Sequence, residues 1–246
     1  MKRGTVWIRL ASVVILACSF AAAQTHPAAQ GTTHEGATYD RTLLTPSLVT
    51  GRAPDVYEVK FVTTKGPFVI QVTRAWAPNG ADRFYNLVRH HYYDGASFFR
   101  VVQGFIVQFG LSAYPDVNRV WGNANIPDDR VRQSNVAGYI TYAMAGPNTR
   151  TTQVFINLSD NSGSLDRQGF APFGLVTEGM DVVNQLYGGY GDAPDFGGHG
   201  PSQDAVANKG HEYLEKNFPK LDSIKTAVIV PPAAAAPKPA PAGNAL

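Results

Sequence analysis

The chain has 246 residues, of which 16% are charged, with 21 Lys and Arg against 19 Asp and Glu. Three of the basic residues, Lys2, Arg3 and Arg9, lie in an amino-terminal targeting pattern; without them 18 basic residues face 19 acidic ones, a net charge of −1. This balance gives no support to nucleic-acid binding, and because the only cysteine, Cys18, lies in the same pattern, the mature chain has no disulfide, thiol nucleophile or cysteine-bound metal.

The amino terminus predicts an exported protein. The basic residues precede an apolar run over residues 10–20, which is shorter than the ~20 residues that a membrane span needs. Ala21 to Ala23 then supply the small side chains that signal peptidase recognises. We therefore predict a signal peptide over residues 1–23 and a periplasmic or secreted mature protein. In an alternative interpretation residues 15–18 are a lipoprotein cleavage box and Cys18 carries the lipid anchor, but leucine at the second position of such a box is unusual.

Composition divides the rest of the chain into three parts. Residues 24–54 are rich in Thr, Ala, Gly and Pro without a sustained period, and we predict an irregular linker there. Residues 55–230 are long enough for one domain with a full core. Residues 231–246 are almost entirely Pro and Ala, which predicts a disordered, extended tail that could be a spacer or a partner ligand.

Hydrophobic periodicity predicts short strands and two helices within the domain. Residues 56–62 alternate between apolar and polar side chains, and turn residues join them to a second strand over 68–72. Helical spacing of apolar residues predicts one helix over 79–91 and another from Met180 to Tyr187. Further strands are predicted over residues 98–102, 105–109, 139–144, 154–158, 173–177 and 224–230. This content indicates a mainly β protein, an antiparallel barrel or sandwich capped by helices.

An insertion, at about residues 188–223, separates the second helix from the last strand. Its first part, residues 188–200, is rich in glycine but lacks the Gly-Lys-Ser/Thr ending of a phosphate-binding loop, so we predict a flexible surface loop. Glu212, Leu214 and Phe218 predict a short helix that ends before Pro219. The sequence assigns no role to this insertion.

The common catalytic motifs are missing from the sequence. The six histidines are scattered without carboxylates at metal-ligand spacing, and no Gly-x-Ser-x-Gly motif provides a serine nucleophile. We therefore expect neither a metal nor a cofactor. A reaction that makes and breaks no covalent bond needs neither of them, because a site has only to favour a distorted form of its substrate over the relaxed forms.

One charged residue lies among apolar ones at strand spacing. Arg100 is flanked by Phe98 and Phe105, and its guanidinium stays charged and offers five hydrogen donors. Such a fixed donor suits a substrate atom that gains electron density in a transition state. Gln108 shares a strand face with Ile106 and is placed to orient the guanidinium. An arginine that snorkels from an edge strand gives the same pattern, and spacing alone favours that interpretation.

A series of short motifs follows in fixed order between Asp55 and Val183. They are Val59-Lys60-Phe61 with Thr64-Lys65-Gly66, Tyr92-Tyr93-Asp94-Gly95, the Arg100 segment, Ala143-x-Ala145-Gly146-Pro147-Asn148-Thr149, Gln153-x-Phe155-Ile156, Leu165-Asp166 and Phe173-Gly174 with Glu178-Gly179-Met180. In this order they resemble the cyclophilin-type peptidyl-prolyl cis/trans isomerases. The resemblance implies a closed antiparallel barrel of eight strands capped by two α-helices, active on X–Pro bonds without a cofactor.

The resemblance also implies roles for individual residues. Arg100 matches the catalytic arginine of the family, and Ala143 matches a residue that lines the adjoining groove. Two glutamines match the polar residues beside the arginine and the substrate backbone, namely Gln108 and Gln153. Four residues match the apolar pocket for the proline ring, with isoleucine in place of the more usual methionine: Phe105, Ile106, Phe155 and Leu165. Ordinary core packing is the alternative for the two phenylalanines and the leucine.

Three positions depart from the family pattern. Met144 stands where the family usually has asparagine, so a main-chain contact with substrate would survive and a side-chain contact would not. Phe170 stands where a histidine or tyrosine often closes the pocket, which makes the pocket more apolar. Ser164 replaces the tryptophan that confers tight cyclosporin binding on eukaryotic members, so we expect weak cyclosporin binding.

Together these patterns predict an exported, monomeric isomerase that assists folding by acting on proline-containing polypeptides, without a membrane span or a nucleic-acid partner. The alternative is a proline-binding or holdase module that keeps the pocket but catalyses poorly. Arg100 favours the enzyme, whereas Met144 and the changed pocket rim leave the alternative open. A purely structural barrel would not need the combination of arginine and pocket.

Overall fold

The computed structural model describes residues 39–230, and this part of the chain contains eight β-strands and five α-helices. The strands are β1 (Val56–Thr63), β2 (Pro67–Thr73), β3 (Arg100–Val102), β4 (Ile106–Phe109), β5 (Tyr139–Tyr142), β6 (Val154–Asn157), β7 (Pro172–Glu178) and β8 (Ile224–Val230). The helices are α1 (Pro78–Arg89), α2 (Pro115–Trp121), α3 (Ser162–Leu165), α4 (Met180–Asn184) and α5 (Gln203–Asn217). The two predicted helices are α1 and a shortened α4; α2 and α3 are not predicted by periodicity, since each is only about two turns or less.

The strands form one antiparallel sheet in the order β3-β4-β6-β5-β7-β2-β1-β8. The two edge strands of the sheet, β3 and β8, approach each other just before their first residues, where Ser97 and Ser223 form a bridge. The backbone N–H of Phe98 donates to the carbonyl of Asp222 at 3.0 Å in the same place. The sheet therefore curls until its edges are joined, and the predicted mainly β fold of eight antiparallel strands is confirmed.

Aromatic side chains fill the space enclosed by the sheet. Phe61 of β1 stacks on Phe68 of β2 with ring centroids 4.9 Å apart, and it meets Phe109 of β4 edge to face at 5.7 Å. Helix α1 covers one opening with Phe84 and Leu87, both fully buried. Burial of one such side chain stabilises the folded state by about 1.5–3 kcal/mol. The apolar residues over 79–91 recur at helical spacing, so they share one face of α1, and this face packs against the core.

Alternation along β4 and β6 separates the core from a second, outward face. Val107 and Ile156 point into the main core together with their strand neighbours at every second position. Ile106, Gln108 and Phe155 point the other way, because successive side chains of a strand leave opposite faces of the sheet. This outward face of β3, β4 and β6 carries the candidate site.

The described part of the predicted linker, residues 39–54, packs onto the domain. It forms two 3₁₀ turns, Arg41–Leu44 and Pro46–Leu48, and buries Leu43, Val49 and Ala53 in the main core. The indole N–H of Trp121 donates to the carbonyl of Leu43 at 2.8 Å. Residues 39–54 are therefore irregular but belong to the folded unit. The predicted signal peptide (1–23), the rest of the linker (24–38) and the Pro/Ala tail (231–246) lie outside the described residues.

The insertion at residues 188–223 also packs onto the domain. Its helix α5 is longer than the predicted short helix and lies against α2, with a kink at Gly210 where φ is 59°. Val206 and Leu214 of α5 bury a small apolar cluster against Phe99, the residue before β3. Among residues 39–230 no helix is long and apolar enough to cross a membrane.

Candidate active site

Arg100 begins β3 and lies directly opposite Gln108 of β4, which in turn lies opposite Phe155 of β6. The guanidinium Nη1 donates to Gln108 Oε1 at 2.9 Å, and Gln108 Nε2 donates to Gln153 Oε1 at 2.9 Å. The ladder register thus brings three predicted site residues into one hydrogen-bonded chain. Gln108 is 4% exposed, so neither of its two bonds is easily exchanged for water.

A second contact to Arg100 comes from the insertion. The Nε and Nη2 groups of Arg100 donate to the two carboxylate oxygens of Asp192 at 2.6 and 3.1 Å. The ring of Phe196 lies over the guanidinium, 4.3 Å from its central carbon, and the ring of Phe105 lies 5.9 Å away. Neither Asp192 nor Phe196 is predicted as a site residue, because the chain between the insertion and β3 is too long for any spacing rule to link them.

The predicted proline pocket forms an apolar cluster of its own, apart from the main core. Ile106, Phe155 and Leu165 are the buried members, each at most 7% exposed. Three partly buried residues surround them, namely Phe105, Ala143 and Phe170. The rings of Phe155 and Phe170 meet edge to face, with centroids 5.7 Å apart. These residues therefore form a cluster separate from the main core, beside the outward face of the sheet that also carries Arg100.

Loops that supply pocket residues are held by buried amides. The carbonyl of Phe105 accepts hydrogen bonds from Leu158 N at 2.8 Å and from Asn161 Nδ2 at 3.0 Å. The fully buried Asn135 donates through Nδ2 to Asp166 Oδ1 and to the carbonyl of Phe170, both at 2.8 Å. Because satisfied buried polar groups fix their neighbours, these bonds hold the loops that carry Phe105 and Phe170 in place.

The remaining predicted positions lie at the rim of the pocket. The amide of Ala143 donates to the carbonyl of Gln153 at 3.0 Å, which continues the pairing of β5 with β6. The Met144 side chain is half-buried and extends toward Gly169, beside Phe170; a Cβ placed on that glycine would lie 3.6 Å from its methyl carbon. Ser164 is exposed and accepts a hydrogen bond from Gln168 Nε2 at 2.9 Å.

The chemistry available here is that of a fixed cation beside an apolar cluster. Arg100 has five N–H groups, of which three are engaged within residues 39–230, by Gln108 and Asp192, so two remain for a ligand. Its side chain is only 11% exposed, which weakens competition from water. Among the described residues, no group of three or more His, Cys, Asp or Glu side chains could hold a metal ion.

Comparison with known proteins assigns the family. Residues 58–204 match the model of the family described as cyclophilin type peptidyl-prolyl cis-trans isomerase/CLD. The chain is similar to peptidyl-prolyl cis-trans isomerase cyp18 of Streptomyces antibioticus, with 36% identity over 142 residues, 53% of this chain and 82% of the relative. It is also similar to peptidyl-prolyl cis-trans isomerase B of Escherichia coli, with 32% identity over 138 residues, 53% of this chain and 84% of the relative.

The fold agrees with this assignment. A crystal structure of a cyclophilin type peptidyl-prolyl cis-trans isomerase from Cryptosporidium parvum superposes with a TM-score of 0.53 and 20% identity, covering 72% of this chain and 98% of that chain. The family match covers more than half of the sequence, and it includes every residue predicted for the site. The chain therefore belongs to the cyclophilin family and is a peptidyl-prolyl cis/trans isomerase.

Proposed function

We propose that Arg100 is the catalytic residue, and that it acts without covalent chemistry. A proline ring occupies the pocket of Ile106, Phe155 and Leu165, while a free N–H of the guanidinium donates to the imide nitrogen as this nitrogen becomes pyramidal. The observation that carries the proposal is the row Arg100–Gln108–Phe155 across three paired strands, which sets the fixed donor beside the apolar pocket.

One such donor can lower the rotation barrier by enough to produce a measurable rate enhancement. Rotation about the peptide C–N bond faces a barrier of roughly 18–20 kcal/mol, which comes from conjugation of the nitrogen lone pair. A donor aimed at that lone pair stabilises the twisted state and not the planar ones, so its whole contribution appears in the rate. Preorganised donors in sites that exclude water contribute about 3–4 kcal/mol in other enzymes.

The test compares wild type with Arg100→Ala and Arg100→Lys on a short X–Pro peptide. We expect the alanine variant to be slower by tenfold or more, a loss of about 1.4 kcal/mol or more of transition-state stabilisation. The lysine variant keeps the charge but loses the planar fork, so its rate should lie between the two. Equal rates for wild type and Arg100→Ala would refute the role of Arg100. A folded wild type that only binds the peptide would favour the binding or holdase module.

We further propose that the protein is an exported monomer that assists the folding of proline-containing envelope or secreted proteins. The amino-terminal pattern of Lys2, Arg3 and Arg9, an apolar run and Ala21 to Ala23 supports export. Export as a lipoprotein through Cys18 is the alternative, and the mass of the mature amino terminus distinguishes the two. Isomerisation of X–Pro bonds takes tens to hundreds of seconds without catalysis, long enough to limit folding.

A further inference from the structure

We propose that Asp192 is a positioning residue for catalysis, which holds the guanidinium of Arg100 so that its two free N–H groups face the proline pocket. This inference rests on the proposed role of Arg100. It assigns a function to the insertion at residues 188–223, for which the sequence predicts none.

The contact fixes the plane of the guanidinium. Asp192 accepts from Nε and Nη2, which share one edge of the group, and Gln108 accepts from Nη1. Paired N–H···O bonds between arginine and a carboxylate are directional and stronger than bonds between neutral groups. An arginine side chain without such partners moves among many rotamers. The guanidinium of Arg100, held by three hydrogen bonds to Gln108 and Asp192, has lost that freedom before the substrate arrives.

The surroundings strengthen the contact. The side chains of Arg100 and Asp192 are 11% and 26% exposed, so this ion pair is screened less than one on an open surface. Phe196 covers a face of the guanidinium at 4.3 Å while the residue itself is 58% exposed. A phenylalanine that exposed gains little from burial, and its stacking on the cation accounts for its placement.

The loop orients Asp192 independently of Arg100. The backbone N–H of Ala193 donates to Asp192 Oδ1 at 2.7 Å, and the N–H of Gly200 donates to the carbonyl of Asp192, also at 2.7 Å. Ala193 is 1% exposed and anchors the turn. The glycine-rich loop folds back on itself around Asp192 and presents a preorganised carboxylate to the arginine.

The experiment measures kcat and KM on an X–Pro peptide for Asp192→Ala and Asp192→Asn, with the thermal midpoint of each variant. We expect Asp192→Ala to lower kcat about fivefold to tenfold with KM and the midpoint nearly unchanged, because the arginine stays present but loses its orientation. Asp192→Asn keeps one acceptor oxygen and should fall between. Asp195→Ala is the matched control: it removes an exposed aspartate three residues away that pairs with no cation among residues 39–230.

Two further measurements separate positioning from a merely structural role. In the double variant with Arg100→Ala, assayed at an enzyme concentration where residual catalysis exceeds the spontaneous rate, Asp192→Ala should cost no further activity. The Nε–H proton of Arg100, followed by NMR, should exchange slowly in wild type and fast in Asp192→Ala. An equal loss in both backgrounds, or an unchanged exchange rate, would overturn the proposal.

The outcomes also separate this inference from the one it rests on. If Arg100→Ala is as fast as wild type, the catalytic role of Arg100 fails and the positioning role fails with it. If Arg100→Ala is slow but Asp192→Ala keeps the wild-type rate or exceeds it, only the positioning role of Asp192 is refuted. A faster Asp192→Ala enzyme would mean that the carboxylate restrains the arginine rather than aligning it.

Discussion

Arg100 is held in a way that a snorkelling arginine would not be. A snorkelling side chain rests its aliphatic stem on the protein and leaves its charged head in water. Here the head group is bonded to Gln108 on one side and Asp192 on the other, and Phe196 lies over it. The snorkelling arginine that spacing alone favours at this position is therefore not what the structure shows. Spacing along the sequence carries no information about partners from distant segments.

Ser164 offers a gain-of-function test of the pocket rim. It is exposed on the short helix α3, next to the buried Leu165 of the pocket. We expect wild type to be inhibited by cyclosporin only weakly, and Ser164→Trp to be inhibited at least tenfold more tightly. The physical reason is that an indole adds a large apolar face and an N–H donor at the edge of the pocket.

The measurement is cyclosporin inhibition of isomerase activity in both proteins. Arg167→Trp is the control, because it adds the same side chain at another exposed position of the next turn. Submicromolar inhibition of wild type would contradict the expected weak binding. Equal inhibition of wild type and Ser164→Trp would show that the rim differs from that of the eukaryotic members in more than this residue.

The strands of the site owe their arrangement to alternation. Each of β4 and β6 sends one set of side chains into the core and the other set to the outward face, so core packing and the active site are specified by the same segments. A one-residue slip of β4 against β6 would bury Gln108 in the core and expose Val107. The aromatic core thereby fixes the register that aligns Arg100, Gln108 and Phe155.

The contribution of the glycine-rich loop to the position of Asp192 can be tested by a substitution that changes neither Asp192 nor Arg100. A Cβ on Gly198 would fall well inside van der Waals contact with the carbonyl oxygen of Asp192. We therefore expect Gly198→Ala to displace Asp192 and to lower kcat about as much as Asp192→Ala does, although Gly198 itself makes no contact with Arg100 among those described. His199→Ala, at the exposed next residue, is the control for a general change in the conformational freedom of the loop.

The activity of both variants and the exchange rate of the Arg100 Nε–H proton are the measurements. Loss of activity in Gly198→Ala together with fast exchange is the expected result. Full activity in Gly198→Ala would mean that the loop can move without disturbing the carboxylate. In that case the glycine content of residues 188–200 would have no connection to the site.

The folded unit extends beyond the family's motifs at its amino-terminal side, and a matched pair of leucines tests this. Leu43 is 1% exposed and lies in the main core, whereas Leu48, five residues further on, is 66% exposed. We expect Leu43→Ala to lower the free energy of unfolding by about 2–4 kcal/mol through lost burial and an unfilled cavity. Leu48→Ala should change it by less than about 0.5 kcal/mol.

Chemical denaturation of both variants is the measurement, with the slope against denaturant as the check on two-state behaviour. If the two leucines behave alike, residues 39–54 are a linker in solution, as their composition predicts. If only Leu43→Ala is destabilised, the segment is part of the domain. The isomerase activity of Leu43→Ala below its unfolding transition should stay near that of wild type, because Leu43 lies in the core and not on the outward face of the sheet.

Local pattern was sufficient for the class of fold, the hairpin of β1 and β2 and helix α1, while the roles of the pocket residues stay predictions. Period-two and period-3.6 spacing report which side of a segment is buried, and the order of motifs from Asp55 to Val183 supplies the family. Pattern could not place residues 39–54 or the loop over residues 188–200, because both lack a regular period and are ordered by contacts with distant parts of the chain. Asp192 reaches Arg100 only through the folding of the loop around it. An ion pair between segments so far apart follows from tertiary packing, which no local spacing encodes.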